Sequence, residues 1–504
     1  MRVLALAVLL AAATQSCHAL PATPAPAGPA RTRQSIPGAV SSAVSASGLR
    51  NASVAVSVRD LQTGQLLVNI EGDRLMVPAS NMKVLTTGAA LHVLGPDFQF
   101  RTRMVRSGDR LTVVGDGDPS FGDPTFLGRL TYTDLNGVKR TVTTAEELVD
   151  IWVNAARRDG ITKVSELVVD DRIFDRQFTH PEWPEDQLDN TYCAQVAGLN
   201  FHENLVGAKL GVEAGRPAVT AWEPQAPWLS ASAGKATANG KGKQTIAILR
   251  TNDPNQYLLS GNLVRAGTDA VPICVRDMPS FFARYVGSRL AAAGISVGTV
   301  RVAAAGDAAP SAEAVGPAIP MPLSEVIKRC NEESHNMYAE ALLKRIGAAR
   351  SRQPGSWANG TAALAAAIDE RLGAGTAAKG YAGSDGSGLS RDNRVAPNVV
   401  TAWMRSIAID PKLAPAYLAS LAEGRREGTV KKRFDGLNPE THQVLCKTGY
   451  INGVSCLSGL VGKTGATPRY AFSVMCNDLT KDKNGVGNAK ALQDRIALIL
   501  AGES

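Results

Sequence analysis

PASNMKVLTTGAALHVLG, residues 78–95, is the stretch from which the fold can be worked out. Val84, Leu85, Leu91, Val93 and Leu94 supply the apolar content of a helix that starts at Ser80, and Gly95-Pro96 ends it. Residues three apart on a helix share a face, so Ser80 and Lys83 stand side by side, with Ser80 at the positive end of the helix. A serine hydroxyl is a weak nucleophile until a base takes its proton. An ordinary lysine, with pKa about 10.4, is only about 0.1% neutral near pH 7.4. Burial and a nearby cation both lower that pKa. Lys447 is the candidate cation, and a drop of about three units corresponds to roughly 4 kcal/mol.

Outward from this helix the chain divides by texture. Upstream, Val54, Val56 and Val58 alternate as in a strand, Thr63-Gly64 turns, and Gln65 to Ile70 returns. Downstream, residues 98–321 alternate short strand-like runs with Gly, Asp and Pro turns, which reads as an inserted, mostly β module or pair of modules. Helical periodicity resumes at Pro322. Gln443 to Cys446, Val454 to Val461 and Tyr470 to Cys476 are strand candidates, and a last amphipathic helix spans about Asn488 to Leu500. The expectation is an α/β (α+β) fold whose main sheet is built from both chain ends, residues 38–97 and 322–504, with the insertion between them.

Two further short motifs follow Ser80-Asn81-Met82-Lys83 in order: Ser334-His335-Asn336 between two helices, and Lys447-Thr448-Gly449 on a strand. A second ordered set also fits the patterns: Ser232 to Lys235, Ser260-Gly261-Asn262 and Lys463-Thr464-Gly465. Its members fall in Gly-rich or hairpin loops, where no helix holds a lysine one turn from the serine. Gly462-Lys463-Thr464 is not a phosphate loop, because Leu457 stands where the leading glycine belongs. In the first set, Ser334 can relay a proton to a leaving amine and Asn336 can orient Lys83. Lys447 and Thr448 can attract a carboxylate, Gly449 leaves the strand surface clear for a peptide, and the backbone N–H groups of Ser80 and Tyr450 can hold an oxyanion.

Composition narrows the class. The 504 residues carry a formal net charge of +8, with Lys and Arg scattered, which argues against a nucleic-acid partner and permits attraction to an anionic wall or membrane surface. Arg2 followed by the apolar run Val3 to Ala13, with small Ala19, reads as a signal peptide over 1–19, hence export to a periplasmic or other extracytoplasmic location. Lipid attachment at Cys17 is the weaker reading, because Thr14-Gln15-Ser16 lacks the expected pattern. A Pro/Ala linker spans 20–37. Six cysteines follow the signal; an exported chain permits disulfides, and the spacing fixes no pairing. No CxxC, no HExxH and no close His pair occur, so neither metal nor cofactor is expected.

The three ordered motifs resemble those of the penicillin-binding protein and serine β-lactamase superfamily. Within it the chain is similar to the D-alanyl-D-alanine carboxypeptidase/endopeptidase family, low-molecular-mass class C penicillin-binding proteins, peptidase family S13. The gap of about 250 residues between the first two motifs suits that family's large insertion. Gly115 to Ser120 (GDGDPS), Tyr192 to Asn204 (YCAQVAGLNFHEN) and Asp385 to Ser390 (DGSGLS) are alike as well. The resemblance implies a penicillin-binding/β-lactamase-like transpeptidase domain. It also implies an acyl-enzyme on Ser80, peptidoglycan stem peptides as substrates and β-lactams as covalent inhibitors. Two residues depart from the family pattern: His335 where Asp is frequent, and Tyr450 where Thr or Ser is usual. The competing functions are a serine β-lactamase and a non-catalytic peptidoglycan-binding protein. No Glu-x-x-Leu-Asn-like segment lies between Asn336 and Lys447 to activate a deacylating water, which disfavours the first.

Overall fold

The computed structural model describes residues 35–503 except Thr268 and residues 310–312. The signal-like stretch, Cys17 and the Pro/Ala segment to residue 34 lie outside the described residues. The linker expected to reach residue 37 ends sooner, because helix α1 (Ile36–Ser45) already includes Pro37. A proline is tolerated in a first helical turn, where its missing N–H would have no partner.

Hairpin β1 (Ser53–Asp60) and β2 (Leu66–Ile70) comes next, its turn held by the Thr63 N–H donating to Asp60 Oδ1 at 2.9 Å. A single 3₁₀ turn, Ala79–Asn81, leads into α2 (Met82–Leu94). The inserted part contains β3 (Gln99–Ser107), β4 (Arg110–Val114), α3 (Ala145–Arg158), β5 (Lys163–Asp170), α4 (Met278–Ala292), β6 (Ser296–Val302) and β7 (Ile319–Pro322). Helices α5 (Leu323–Glu332), α6 (Asn336–Ser351), α7 (Trp357–Leu372) and α8 (Pro397–Ala408) follow. The chain closes with β8 (Ala422–Glu423), β9 (His442–Ile451), β10 (Val454–Lys463), β11 (Tyr470–Asn477) and α9 (Gly485–Ala501).

The main sheet runs β8-β9-β10-β11-β1-β2 and is antiparallel throughout. Its closing seam pairs β1 with β11, Ser53 opposite Asn477 and Asp60 opposite Tyr470, so the two chain ends share one sheet. Both faces are covered. Val56, Val58, Phe472 and Val474 pack with Val40, Leu492 and Ile496 from α1 and α9. Ala55, Leu460, Ala471 and Met475 pack on the side of α2 and α8. Burial on both faces explains why β10 reads as a near-continuous apolar run rather than an alternating one.

The insertion leaves and re-enters through neighbouring strands: β3 pairs antiparallel with β7, Phe100 opposite Met321, so a long excursion costs the main sheet nothing. Strand dominates the insertion, but it also contains parallel pairing that its short runs did not announce. Strands β4, β5 and β6 are parallel neighbours, with α3 and α4 packed in the same core. Helix α3 starts at a capping box in which Thr144 and Glu147 satisfy each other's backbone N–H groups. All six described cysteines are buried free thiols. Cys456 and Cys476 lie on adjacent strands, but Cys476 faces Ser455 across the ladder, so the two thiols point to opposite faces. Among the described residues, no helix is long and apolar enough to cross a membrane.

Helix α2 is the central post of this fold. Every residue from Met82 to Leu91 is buried, as expected of a helix enclosed on all sides. Gly88 admits the indole of Trp403 from α8: a Cβ there would lie 2.7 Å from Trp403 Nε1. That Nε1–H donates to the Val84 carbonyl at 3.1 Å, and the Tyr417 hydroxyl donates to the same oxygen at 3.1 Å. Replacing Trp403 by Ala should destabilise the protein by about 3–5 kcal/mol, read as a lower chemical-unfolding midpoint. A midpoint equal to that of the parent would show that the indole does not brace α2.

Candidate active site

Ser80 lies in the 3₁₀ turn that feeds α2, one turn ahead of Lys83. Ala79 before it sits at φ +46°, a conformation that a non-glycine residue adopts only under local constraint. The constraint is visible: the Gly388 backbone presses on this turn so closely that a Cβ there would fall 1.8 Å from the Ala79 carbonyl oxygen. Lys83 is fully buried, and its Nζ lies 3.0 Å from Ser80 Oγ. Two other neighbours of Nζ can only accept: Asn336 Oδ1 at 2.7 Å and the Ser387 carbonyl at 2.9 Å. In a neutral amine those two acceptors take both N–H bonds. The lone pair is then left facing the Ser80 hydroxyl.

Ser334 occupies the link between α5 and α6 at φ +64°, and its Oγ accepts from Lys447 Nζ at 2.8 Å. Asn336 opens α6, and its Nδ2 donates to the Tyr192 carbonyl at 2.9 Å, which fixes the amide with Oδ1 toward Lys83. His335 between them is tied across the molecule. Its Nε2 lies 2.8 Å from Glu203 Oε1, and Arg329 on α5 holds the same carboxylate at 2.8 Å. These contacts hold the Glu203 carboxyl down at about 2 against the upward push of burial.

Lys447, Thr448 and Gly449 lie on β9 as expected. The partner strand β8 pairs with β9 only at Leu445 and Cys446, so from Lys447 onward the outer edge of β9 is open, a place for an extended peptide to add. Gly449 is needed for a different reason from the one read in the sequence. A Cβ there would lie 2.7 Å from the Pro78 carbonyl and 2.8 Å from Asn81 Nδ2, so the missing side chain makes room for the Ser80 turn rather than for a ligand. Asn81 Nδ2 also donates to the Lys447 carbonyl at 3.0 Å, which locks strand to turn. Tyr450 is 57% exposed, with its ring beside Lys490.

Burial lowers both lysines, Lys83 to about 8 and Lys447 to about 7. The sequence suggested burial together with Lys447 as the cation acting on Lys83. In the structure, dehydration is the first cause for both, Lys447 bears an added repulsion from Lys83, and Cys330, Glu340 and Asp385 pull Lys83 upward. Near pH 7.4, a lysine of pKa about 8 is roughly one-fifth neutral, some two hundred times more than a solvated one.

Several residues at this centre carry no motif. Glu340 on α6 is fully buried and accepts from the Gly386 and Ser387 N–H groups (2.9 and 2.8 Å) and from Trp357 Nε1 (2.8 Å). Burial, then Asp385, pushes its pKa up to about 7. Asp385 accepts from the Gly388 and Ser390 N–H groups at 2.7 and 2.6 Å. The DGSGLS run is thus a carboxylate-bound loop that delivers the Ser387 carbonyl to Lys83. Its Gly/Ser content was legible as a turn; its destination was not. The alternative motif set is scattered: Ser232 and Ser260 end short strands of the insertion, and Lys463 ends β10 at the hairpin.

Ser80, Ser334 and Asn336 line a cleft of about 540 Å³, whose far walls include Glu182, Tyr192, Arg391 and Tyr450. A larger cavity of about 850 Å³ opens at the ends of β4 and β5 between Arg103, Asp116 and Arg172. It is lined by no serine, cysteine or lysine, whereas the smaller cleft exposes the Ser80 and Ser334 side chains.

The model of the D-Ala-D-Ala carboxypeptidase 3 (S13) family matches residues 37–500. A D-alanyl-D-alanine carboxypeptidase from Actinomadura sp. (strain R39) is 30% identical over 478 residues, covering 90% of this chain and 82% of that relative. The crystal structure of penicillin binding protein 4 (dacB) from Haemophilus influenzae has a TM-score of 0.71 at 21% identity, covering 92% of this chain and 98% of that one. The same Haemophilus protein complexed with a novel β-lactam gives a TM-score of 0.64 at 20% identity, covering 91% and 98%. At such identity the two structures speak for the fold alone. The family match spans nearly every described residue, and the chain belongs to the D-Ala-D-Ala carboxypeptidase 3 (S13) family.

Proposed function

We propose that this protein is a serine-type D-Ala-D-Ala carboxypeptidase/endopeptidase of the cell wall and that it binds penicillin at Ser80. The observation that carries the reading is the buried Lys83 amine, 3.0 Å from Ser80 Oγ, with its two N–H directions already taken. A base so placed accepts the hydroxyl proton without first losing a hydrogen bond.

The steps follow. The open edge of β9 receives the stem peptide, with Thr448 and Lys447 near its terminal carboxylate. Ser80 Oγ attacks the carbonyl of the penultimate D-Ala, and its proton passes to Lys83. The Ser80 and Tyr450 N–H groups stabilise the oxyanion. Ser334, held by Lys447, passes its proton to the departing amine and takes back the proton that Lys83 received, the C–N bond breaks, and an ester on Ser80 remains. Water then hydrolyses the ester and restores the hydroxyl. A β-lactam acylates the same oxygen, but its amine stays tethered through the opened ring, so the ester persists. The activity for which the family is named, shared by the Actinomadura relative, supports this chemistry. The signal-like stretch ahead of Leu20 supports an extracytoplasmic site of action, and the net charge of +8 suits association with an anionic wall or membrane surface.

Exposure to a fluorescent penicillin should leave a stoichiometric adduct, mapped to Ser80 by intact mass and peptide analysis; Ser80→Ala should abolish it, and equal labelling of that variant would refute the mechanism. Acylation should also depend on pH in a stated direction. A base lowered to about 8 loses its neutral form as pH falls, so the rate should drop about tenfold per unit at pH well below 7. Stopped-flow acylation rates that stay flat from pH 5.5 to 9 would exclude Lys83 as the base.

A further inference from the structure

One end of the open β9 edge is capped by a turn that no motif identifies. After pairing at Leu445 and Cys446, β8 swings away, and the chain returns as the short turn Gly428–Val430. There Thr429 is exposed, and its Oγ1 accepts from Thr448 Oγ1 at 2.9 Å. A hydroxyl carries one donor and two acceptor sites. With the Thr448 proton used in this contact, the exposed Thr429 hydroxyl keeps its own proton for a further partner.

Thr429 is held rigidly. Val430 beside it is fully buried, and the Arg425 N–H closes the turn onto the Val430 carbonyl at 3.3 Å. Gly428 sits at φ +57°, and a Cβ there would lie 2.5 Å from the Glu332 carbonyl, so the turn rests on the end of α5, two residues before Ser334. The next outward side chain on β9, Tyr450, places its ring beside Lys490 instead of beside Thr448. The local charge favours an anion. Lys431 and Lys432 follow the turn, both exposed, while Lys447, lowered to about 7 by burial, donates through Nζ to the Thr448 carbonyl. The carboxyls beneath it, Glu332 and Glu427, share a hydrogen bond, and burial and that partner hold the Glu332 proton on to about pH 7.

We propose that Thr429 and Thr448 together seat the terminal carboxylate of the substrate, making Thr429 a specificity-determining residue for peptides that end in a free carboxylate. The inference rests on the peptidase reading of the same cleft. On binding, the Thr448 proton turns from Thr429 to one carboxylate oxygen, and the Thr429 proton reaches the other. The pair thus trades one hydroxyl–hydroxyl bond for two charge-assisted ones.

The test uses the full chain and two acylated D-Ala-D-Ala peptides, one with a free C-terminal carboxylate and one with a C-terminal carboxamide. The parent should show a higher kcat/KM for the carboxylate. Thr429→Val should lower that carboxylate-to-amide ratio roughly ten- to hundredfold, mainly through KM, the loss expected for a hydrogen bond to a charged group. Thr429→Ser should restore it. If Thr429→Val keeps the parent ratio, whether both rates fall in step or neither moves, Thr429 only supports the turn and the proposal is overturned while the peptidase stands. If the parent cleaves neither peptide and forms no penicillin ester, the peptidase reading itself fails and takes this inference with it.

Discussion

The site depends on the dehydration of two amines a few ångströms from each other. A charged ammonium in a protein interior costs several kcal/mol unless it is paired, and here neither lysine meets a carboxylate directly. The fold offers them carbonyl, amide and hydroxyl oxygens instead, which stabilise an ammonium less than a carboxylate would. The result is a penalty of roughly 3 kcal/mol on the charged form of Lys83 relative to water, the amount by which its pKa is displaced. Had Asp385 or Glu340 touched Nζ, the ammonium would have been stabilised and the base lost. Both carboxyls turn their oxygens to backbone N–H groups of the 385–390 loop instead.

That requirement explains the architecture around α2. Lys83 can be dry only if its helix is enclosed, and enclosure takes material from distant parts of the chain: α8 through Trp403, α6 through Asn336, the 385–390 loop and the β9 strand. The β1–β11 seam makes this closure feasible, because it fixes the N-terminal hairpin, and so the start of α2, against strands contributed by the C-terminal end.

What could be read in the sequence was what is local. Ser80 and Lys83 are one helical turn apart, Ser334 and Asn336 two residues apart, and Lys447 to Gly449 contiguous, so residue type and spacing were enough. The two-ended sheet was legible because strand candidates followed by a helix stand at both ends of the chain, at Val54 to Leu94 and at Gln443 to Leu500. Residues that act through backbone atoms or tertiary contacts were not legible. The Ser387 and Tyr192 carbonyls could belong to any residue type, Asn81 was visible only as the second letter of its motif, and Thr429 stands in an ordinary Gly/Thr turn. Gly449 was recognised for the right absence and the wrong reason, because the atoms it avoids come from residues more than 360 positions away. The Thr144–Glu147 capping box that starts α3 was not picked out from the turn-like runs on either side.

The insertion takes part in the site as well as interrupting it. Its Tyr192 carbonyl orients Asn336, and its Glu203 carboxylate grips His335, so the two residues that follow Ser334 are both held from the insertion. Glu203 does this from a left-handed run, His202, Glu203 and Asn204 at φ +52°, +57° and +56°, while Ser334 itself sits at +64°. Such positions cost of order 1–3 kcal/mol each and persist only where neighbours over-determine them. Here the strained residues lean on one another across the His335–Glu203 bond, with Arg329 clamping the carboxylate to Asp123 at the base of α5. Ser334 is thereby fixed in advance, and a hydroxyl that the fold has already ordered need not be ordered again when a partner binds.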